Sequence, residues 1–82
     1  MTKELITPKK AEAYLKSNDI ANKPLNMEIV NSIANKIKNG EWDPDGDAIY
    51  FTRNGRVLSN GQHRMSAIVK AGVPVLVTVV RT

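Results

Sequence analysis

The chain has 82 residues and no cysteine. Disulfides, thiolate metal sites and cysteine nucleophiles are therefore excluded, and the redox compartment cannot be read from it. Aromatics are scarce too: one Trp, two Tyr and one Phe are too few to stack successive bases of a single strand. The single histidine, with no second histidine or thiol beside it, makes a poor metal site, so no metal ligands are assigned. No apolar run approaches the roughly 18 residues that span a bilayer, and the N-terminus lacks the charged-then-apolar order of a secretion signal. The reading is a cytoplasmic protein without a membrane partner. With no repeat or linker, residues 1–82 form one small domain with little room for a deep enclosed site.

Carboxylates are also missing from most of the second half. Residues 1–46 balance seven Lys against seven acidic residues, whereas residues 47–82 hold Arg53, Arg56, Arg64, Lys70, Arg81 and only Asp47. The whole formal charge of +4 therefore sits in that half. A modest basic excess suits an anionic ligand or nucleic acid.

Local signals divide the chain into alternating elements. Glu4 to Thr7 reads as a short strand leading to Thr7 as N-cap and Pro8 as first residue of a helix running to Ser17. Asn22-Lys23-Pro24-Leu25 reads as a loop, because Pro24 biases Lys23 toward an extended conformation. Asn26 caps a second helix with Ile29, Val30, Ile33, Ala34 and Ile37 on its apolar face and Gly40 as its stop. Trp42 anchors the end of that helix, and residues 42–46 form a turn. Asp47 to Arg53 is expected to pair with Arg56 to Ser59 across a two-residue Asn54-Gly55 turn. A helix from Gln62 to Lys70 follows, and then a buried strand from Val75 to Val80. This order predicts an α+β domain with a small mixed sheet and two to three helices. The strand, helix, strand order from Arg56 to Val80 suggests a crossover unit with Asn60-Gly61 at a strand's carboxyl end, where open sheets bind ligands.

The segment Val57 to Ile68 breaks a local rule. A helix start carries partial positive charge and unpaired N–H groups, yet His63 and Arg64 stand in its first turn. Oriented backbone donors, a glycine and a guanidinium are what a phosphate requires. The bland alternatives are an ion pair from Arg64 to a carboxylate elsewhere and a plain turn at Asn60-Gly61.

Asn60-Gly61-Gln62-His63-Arg64, followed by Met65-Ser66-Ala67-Ile68 and Ala71-Gly72-Val73-Pro74, resembles the signature of the ParB/sulfiredoxin-like superfamily. ParB proteins carry Gly-Glu-Arg-Arg in the corresponding loop and sulfiredoxins Gly-Cys-His-Arg, each followed by an alanine-containing helix and a strand. Lys23-Pro24 resembles the family's short arginine-containing segment upstream. The resemblance implies a loop that cradles a nucleotide's phosphates, with Gly61 for close backbone approach, Arg64 for charge, His63 to orient the phosphate, and Ser59, Asn60 and Gln62 around it. The same resemblance makes Lys23 an expected second positive contact. Gln62 replaces the sulfiredoxin cysteine, which excludes sulfinic acid reduction by that route. It also replaces the ParB acidic residue that serves the nucleotide and metal site. The helix-turn-helix portion of ParB has no counterpart here.

Three functional expectations follow. The first is a phosphate- or nucleotide-binding domain, with or without Mg²⁺ and weak NTP hydrolysis or phosphoryl transfer, in phage, plasmid or host DNA metabolism. The second is a binding module that docks onto a host or phage protein or onto DNA. The third is a metal-dependent nuclease. No catalytic residue can be chosen: Glu28, Glu41, Asp43, Asp45 and Asp47 show no specific spacing, and the run from Asp43 to Asp47 lacks the later glutamate of a calcium loop.

Overall fold

The computed structural model describes residues 2–17, 24–43 and 45–82. Its elements are β1 (Thr2–Ile6), α1 (Pro8–Leu15), α2 (Met27–Lys38), β2 (Ile49–Thr52), β3 (Val57–Asn60), α3 (Gln62–Ala71) and β4 (Val75–Arg81). The helices start where the caps stand. The Thr7 hydroxyl accepts the Lys10 N–H at 3.1 Å, and Pro8 occupies the first turn, where a missing donor costs nothing. The Asn26 side chain accepts the Glu28 N–H at 3.0 Å, Lys36 and Lys38 complement the far end of α2, and Gly40 follows at φ +73.

The strands form one mixed sheet in the order β1-β4-β2-β3. β4 pairs antiparallel with β1 and parallel with β2, and β2 pairs antiparallel with β3. Strand alternation turns Ile6, Ile49, Phe51, Leu58, Val75, Val77 and Val79 toward the helices. There α3 packs against both α1 and α2 and brings Met65, Ala67 and Ile68 into the core. The opposite sheet face leaves Leu5, Tyr50 and Leu76 exposed.

Three local expectations need correcting. Ile29, expected on the apolar face of α2, is 46 % exposed, because the stripe Val30-Ala34-Ile37 takes the core contact and Ile29 lies beside it. The hairpin keeps the register expected of an Asn54-Gly55 turn, Thr52 opposite Val57 and Phe51 opposite Leu58. Arg53 and Arg56 nevertheless leave the ladder, because Arg53, Asn54 and Gly55 all take positive φ and widen the loop to residues 53–56. The crossover is also different. β3 and β4 are separated by β2, so the parallel pair β2 and β4 is joined through β3 and α3 together. The loop at Asn22-Lys23 lies outside the described residues.

A polar network closes one border of the core. The Tyr14 hydroxyl donates to Glu4 at 2.5 Å, Arg81 donates to Glu4 at 2.8 Å and to the Tyr14 oxygen at 3.2 Å, and Lys10 lies 3.3 Å from Glu4. Arg81 also stands over the Phe51 ring at 5.0 Å, with Tyr14 edge-on to the same ring. Burial alone would raise the Glu4 pKa, but the hydrogen bonds from Tyr14 and Arg81 and the charge of Arg81 outweigh it and hold the carboxyl below its ordinary value. A carboxyl with a lowered folded pKa stabilises fully above the unfolded value, and that stabilisation disappears as pH falls through the folded one. Urea midpoints followed by Trp42 fluorescence are therefore expected to fall more steeply on acidification in wild type than in Glu4→Gln. Parallel curves for the two proteins would show that Glu4 contributes nothing to the acid limb.

Candidate functional site

β3 ends in a bulge. Tyr50 faces Asn60 while Phe51 faces Leu58, so Ser59 is the extra residue, and its hydroxyl donates to the Tyr50 carbonyl at 3.1 Å. Bulges re-aim the chain, and here the bulge delivers Asn60 and Gly61 to the start of α3. Gly61 takes φ +128, and a Cβ there would stand 2.9 Å from one Ile49 methyl carbon. Both the conformation and the space demand glycine. Gly61 is expected to let a phosphate approach the backbone; the close neighbour in the structure is Ile49.

The first turn of α3 has no side-chain cap. Ser59, Asn60, Gly61, Gln62, His63 and Arg64 all line one cleft of about 410 Å³, together with Ile33 of α2 and Asp47. Every residue of the expected loop is therefore in one place. Lys23, the expected second cation, lies outside the described residues.

Most of the loop's side chains have structural partners, Arg64 and His63 the farthest-reaching among them. The Arg64 guanidinium donates to the Asp47 carbonyl, to the Ala48 carbonyl at 3.1 Å, and to the Asn60 side-chain oxygen at 3.5 Å. The expected alternative of an ion pair to a carboxylate is replaced by main-chain acceptors at the amino end of β2. Burial lowers the Arg64 pKa from the ordinary arginine value, against the attraction of the Asp47 carboxylate, and the group stays cationic at neutral pH. His63 accepts the Asn26 N–H on Nε2 at 3.0 Å, which ties the start of α3 to the start of α2. Gln62 is buried.

Ile33 and Asp47 join the cleft without having been singled out for it; the topology places the amino end of β2 beside the carboxyl end of β3. The main-chain partners of Arg64 leave no mark in a sequence, because every residue carries a carbonyl. Trp42 is where the sequence places it, packed on the core with its indole N–H donating to the Leu76 carbonyl at 2.8 Å. A second hollow of about 230 Å³ runs from Ile33 and Arg64 to Glu41, Trp42 and Asp43 and adjoins the cleft. Another, of about 460 Å³, lies by the residue 45–48 loop beside Tyr50, where Lys3 pairs with Asp45. It is the larger hollow, but it contains no helix start. Among the described residues no three His, Asp or Glu gather into a set able to hold a metal ion.

Gly61→Ala is expected to destabilise the fold by about 2–4 kcal/mol, from the positive φ and the clash with Ile49 together. Gly72→Ala, in the milder left-handed region at φ +73 with open space around it, shows a positive-φ cost without a clash, at about 1 kcal/mol. Equal losses in urea unfolding would deny the close approach to Ile49 any role.

No family model, curated protein or solved structure matches this chain.

Proposed function

We propose that the chain is a ParB/sulfiredoxin-like domain that binds a phosphate-bearing ligand, a nucleotide in the first instance, in the cleft at the start of α3. The observation that carries this reading is an uncapped helix start with a guanidinium in its first turn, set in a cleft of about 410 Å³. That volume lies in the range of small-molecule sites, and helix N-terminal donors favour an anion. The order β3, Gly61-Gln62-His63-Arg64, α3 and β4 adds support, since it reproduces the arrangement on which the resemblance rests. Arg64 acts chiefly by position in this reading. Bound to the Asp47 and Ala48 carbonyls, it holds the β2 end against α3 and leaves its charge close to the cleft. No catalytic residue is assigned, and the role proposed in phage, plasmid or host DNA metabolism is one of binding.

A second reading, docking onto a protein without chemistry, draws on the apolar side chains Leu5, Tyr50 and Leu76 left exposed on the open sheet face.

Arg64→Ala is a poor probe of the first reading, because it also removes the ties to β2. Asn60→Asp keeps shape, places a carboxylate at the lip of the cleft, and sits within reach of Arg64. In thermal shift assays with nucleoside mono-, di- and triphosphates, with and without Mg²⁺, a ligand at 100 times its Kd stabilises by about 2.7 kcal/mol, on the order of ten degrees here. The expected outcome is a shift in wild type that is lost in Asn60→Asp, while the midpoint without ligand stays within about 2 degrees. Absence of any shift in folded wild type, or an equal shift in the variant, would defeat the nucleotide reading and direct attention to the open sheet face.

A further inference from the structure

The charges of this chain are sorted along β2. At its amino end, the loop of residues 41–47 carries Glu41, Asp43, Asp45 and Asp47, four of the eight carboxylate side chains. At its carboxyl end, the β2–β3 loop carries Arg53 and Arg56, both exposed. Residues 48–82 contain no carboxylate side chain at all. Arg81 is brought alongside: a Cβ on Gly55 would stand 3.1 Å from its side chain. Arg81 is committed to Glu4, but among the described residues neither Arg53 nor Arg56 has an ion-pair partner.

The loop that presents these two arginines is pinned. The Arg56 N–H donates to the Thr52 carbonyl at 3.0 Å, and the Asn54 N–H donates to the Thr82 carbonyl at 2.8 Å. Arg53 and Asn54 are held at φ 54 and φ 61, a region that side chains other than glycine seldom enter. Two guanidinium groups three residues apart therefore project from a fixed turn at the tip of a hairpin.

We infer that this hairpin tip is a contact for the phosphodiester backbone of duplex nucleic acid. A guanidinium presents a planar fork of donors that matches two phosphate oxygens. Stacking on single-stranded bases is poorly provided for at this end, since Phe51 is buried, Tyr14 is packed edge-on against it with its hydroxyl tied to Glu4, and Trp42 lies at the other end of β2. The contact positions the protein without reading sequence, as arginines confined to phosphates do. A second copy of the chain is the competing occupant: its residue 41–47 carboxylates suit the tip, but the formal charge of +4 on each copy opposes their approach. The tip is at the opposite end of β2 from the cleft, so the two sites succeed or fail separately.

The test is fluorescence anisotropy with a labelled random-sequence duplex, started at low salt and repeated as salt rises. Two phosphate contacts predict a slope of log K against log salt of about −2. The variant Arg53→Asn with Arg56→Gln removes both cations while giving position 53 a residue tolerant of positive φ. It is expected to bind about tenfold or more weakly, with a slope near zero. Lys9→Gln with Lys38→Gln removes the same charge elsewhere and is expected to stay within about threefold of wild type. Circular dichroism and thermal midpoints check that each protein is folded, and Arg56→Gln alone provides the smaller step if the double variant is not. Equal weakening in both double variants, an unaffected arginine variant, or no binding by wild type at low salt overturns the inference. So does sedimentation showing self-association that the arginine variant abolishes, with no binding of the duplex; that result assigns the tip to a second copy.

Discussion

A side chain on residue 61 would stand 2.9 Å from Ile49, and most of the architecture depends on keeping that space empty. Ile49 is fully buried at the start of β2, so α3 begins directly on the sheet with no intervening layer. The close start lets Arg64 reach the Asp47 and Ala48 carbonyls and lets His63 reach the Asn26 N–H. One backbone contact thereby aligns α3, the amino end of β2 and the amino end of α2. The cleft is the space left between these three fixed pieces.

This arrangement resolves the electrostatic conflict in the sequence in an unexpected way. A guanidinium in the first turn of a helix is repelled by the helix dipole, and an anion is the obvious relief. Here part of the relief comes from two main-chain carbonyl dipoles on β2. Main-chain acceptors carry no net charge, so they bind the guanidinium without neutralising it, and the opposing charge nearby is the Asp47 carboxylate. A phosphate entering the cleft would meet a cation already oriented and partly desolvated, which reduces the ordering that binding requires. The same ties mean that changes at position 64 act on stability, and in the proposed reading on binding as well.

The elements were readable in the chain because their signals are local. Thr7-Pro8, Asn26 and Gly72 mark helix ends through hydrogen bonds and backbone angles that reach only three or four residues. Strand pairing across residues 53–56 was readable for the same reason. What the sequence hid was nonlocal. The insertion of β2 between β3 and β4, the wall formed by Ile33, and the main-chain partners of Arg64 arise from parts of the chain far apart in sequence. Gly61 shows the boundary well: the need for glycine was legible, whereas the neighbour that imposes it was not. The widened turn at Arg53 was missed because Asn54-Gly55 alone satisfies a tight turn, and nothing nearby reveals the tie to Thr82.

The position of β4 has a consequence for how this protein can assemble. It lies in the interior of the sheet, between β1, the first strand of the chain, and β2. Until residues 75–81 are available, β1 has no partner and the β2–β3 hairpin is an isolated two-stranded ribbon, a unit that is marginal in water. A growing chain can make its helices and its hairpin in turn, but its sheet must wait for the last strand to enter between the other strands. The cleft and the hairpin tip both take their final geometry from β2, so neither is complete before that final insertion.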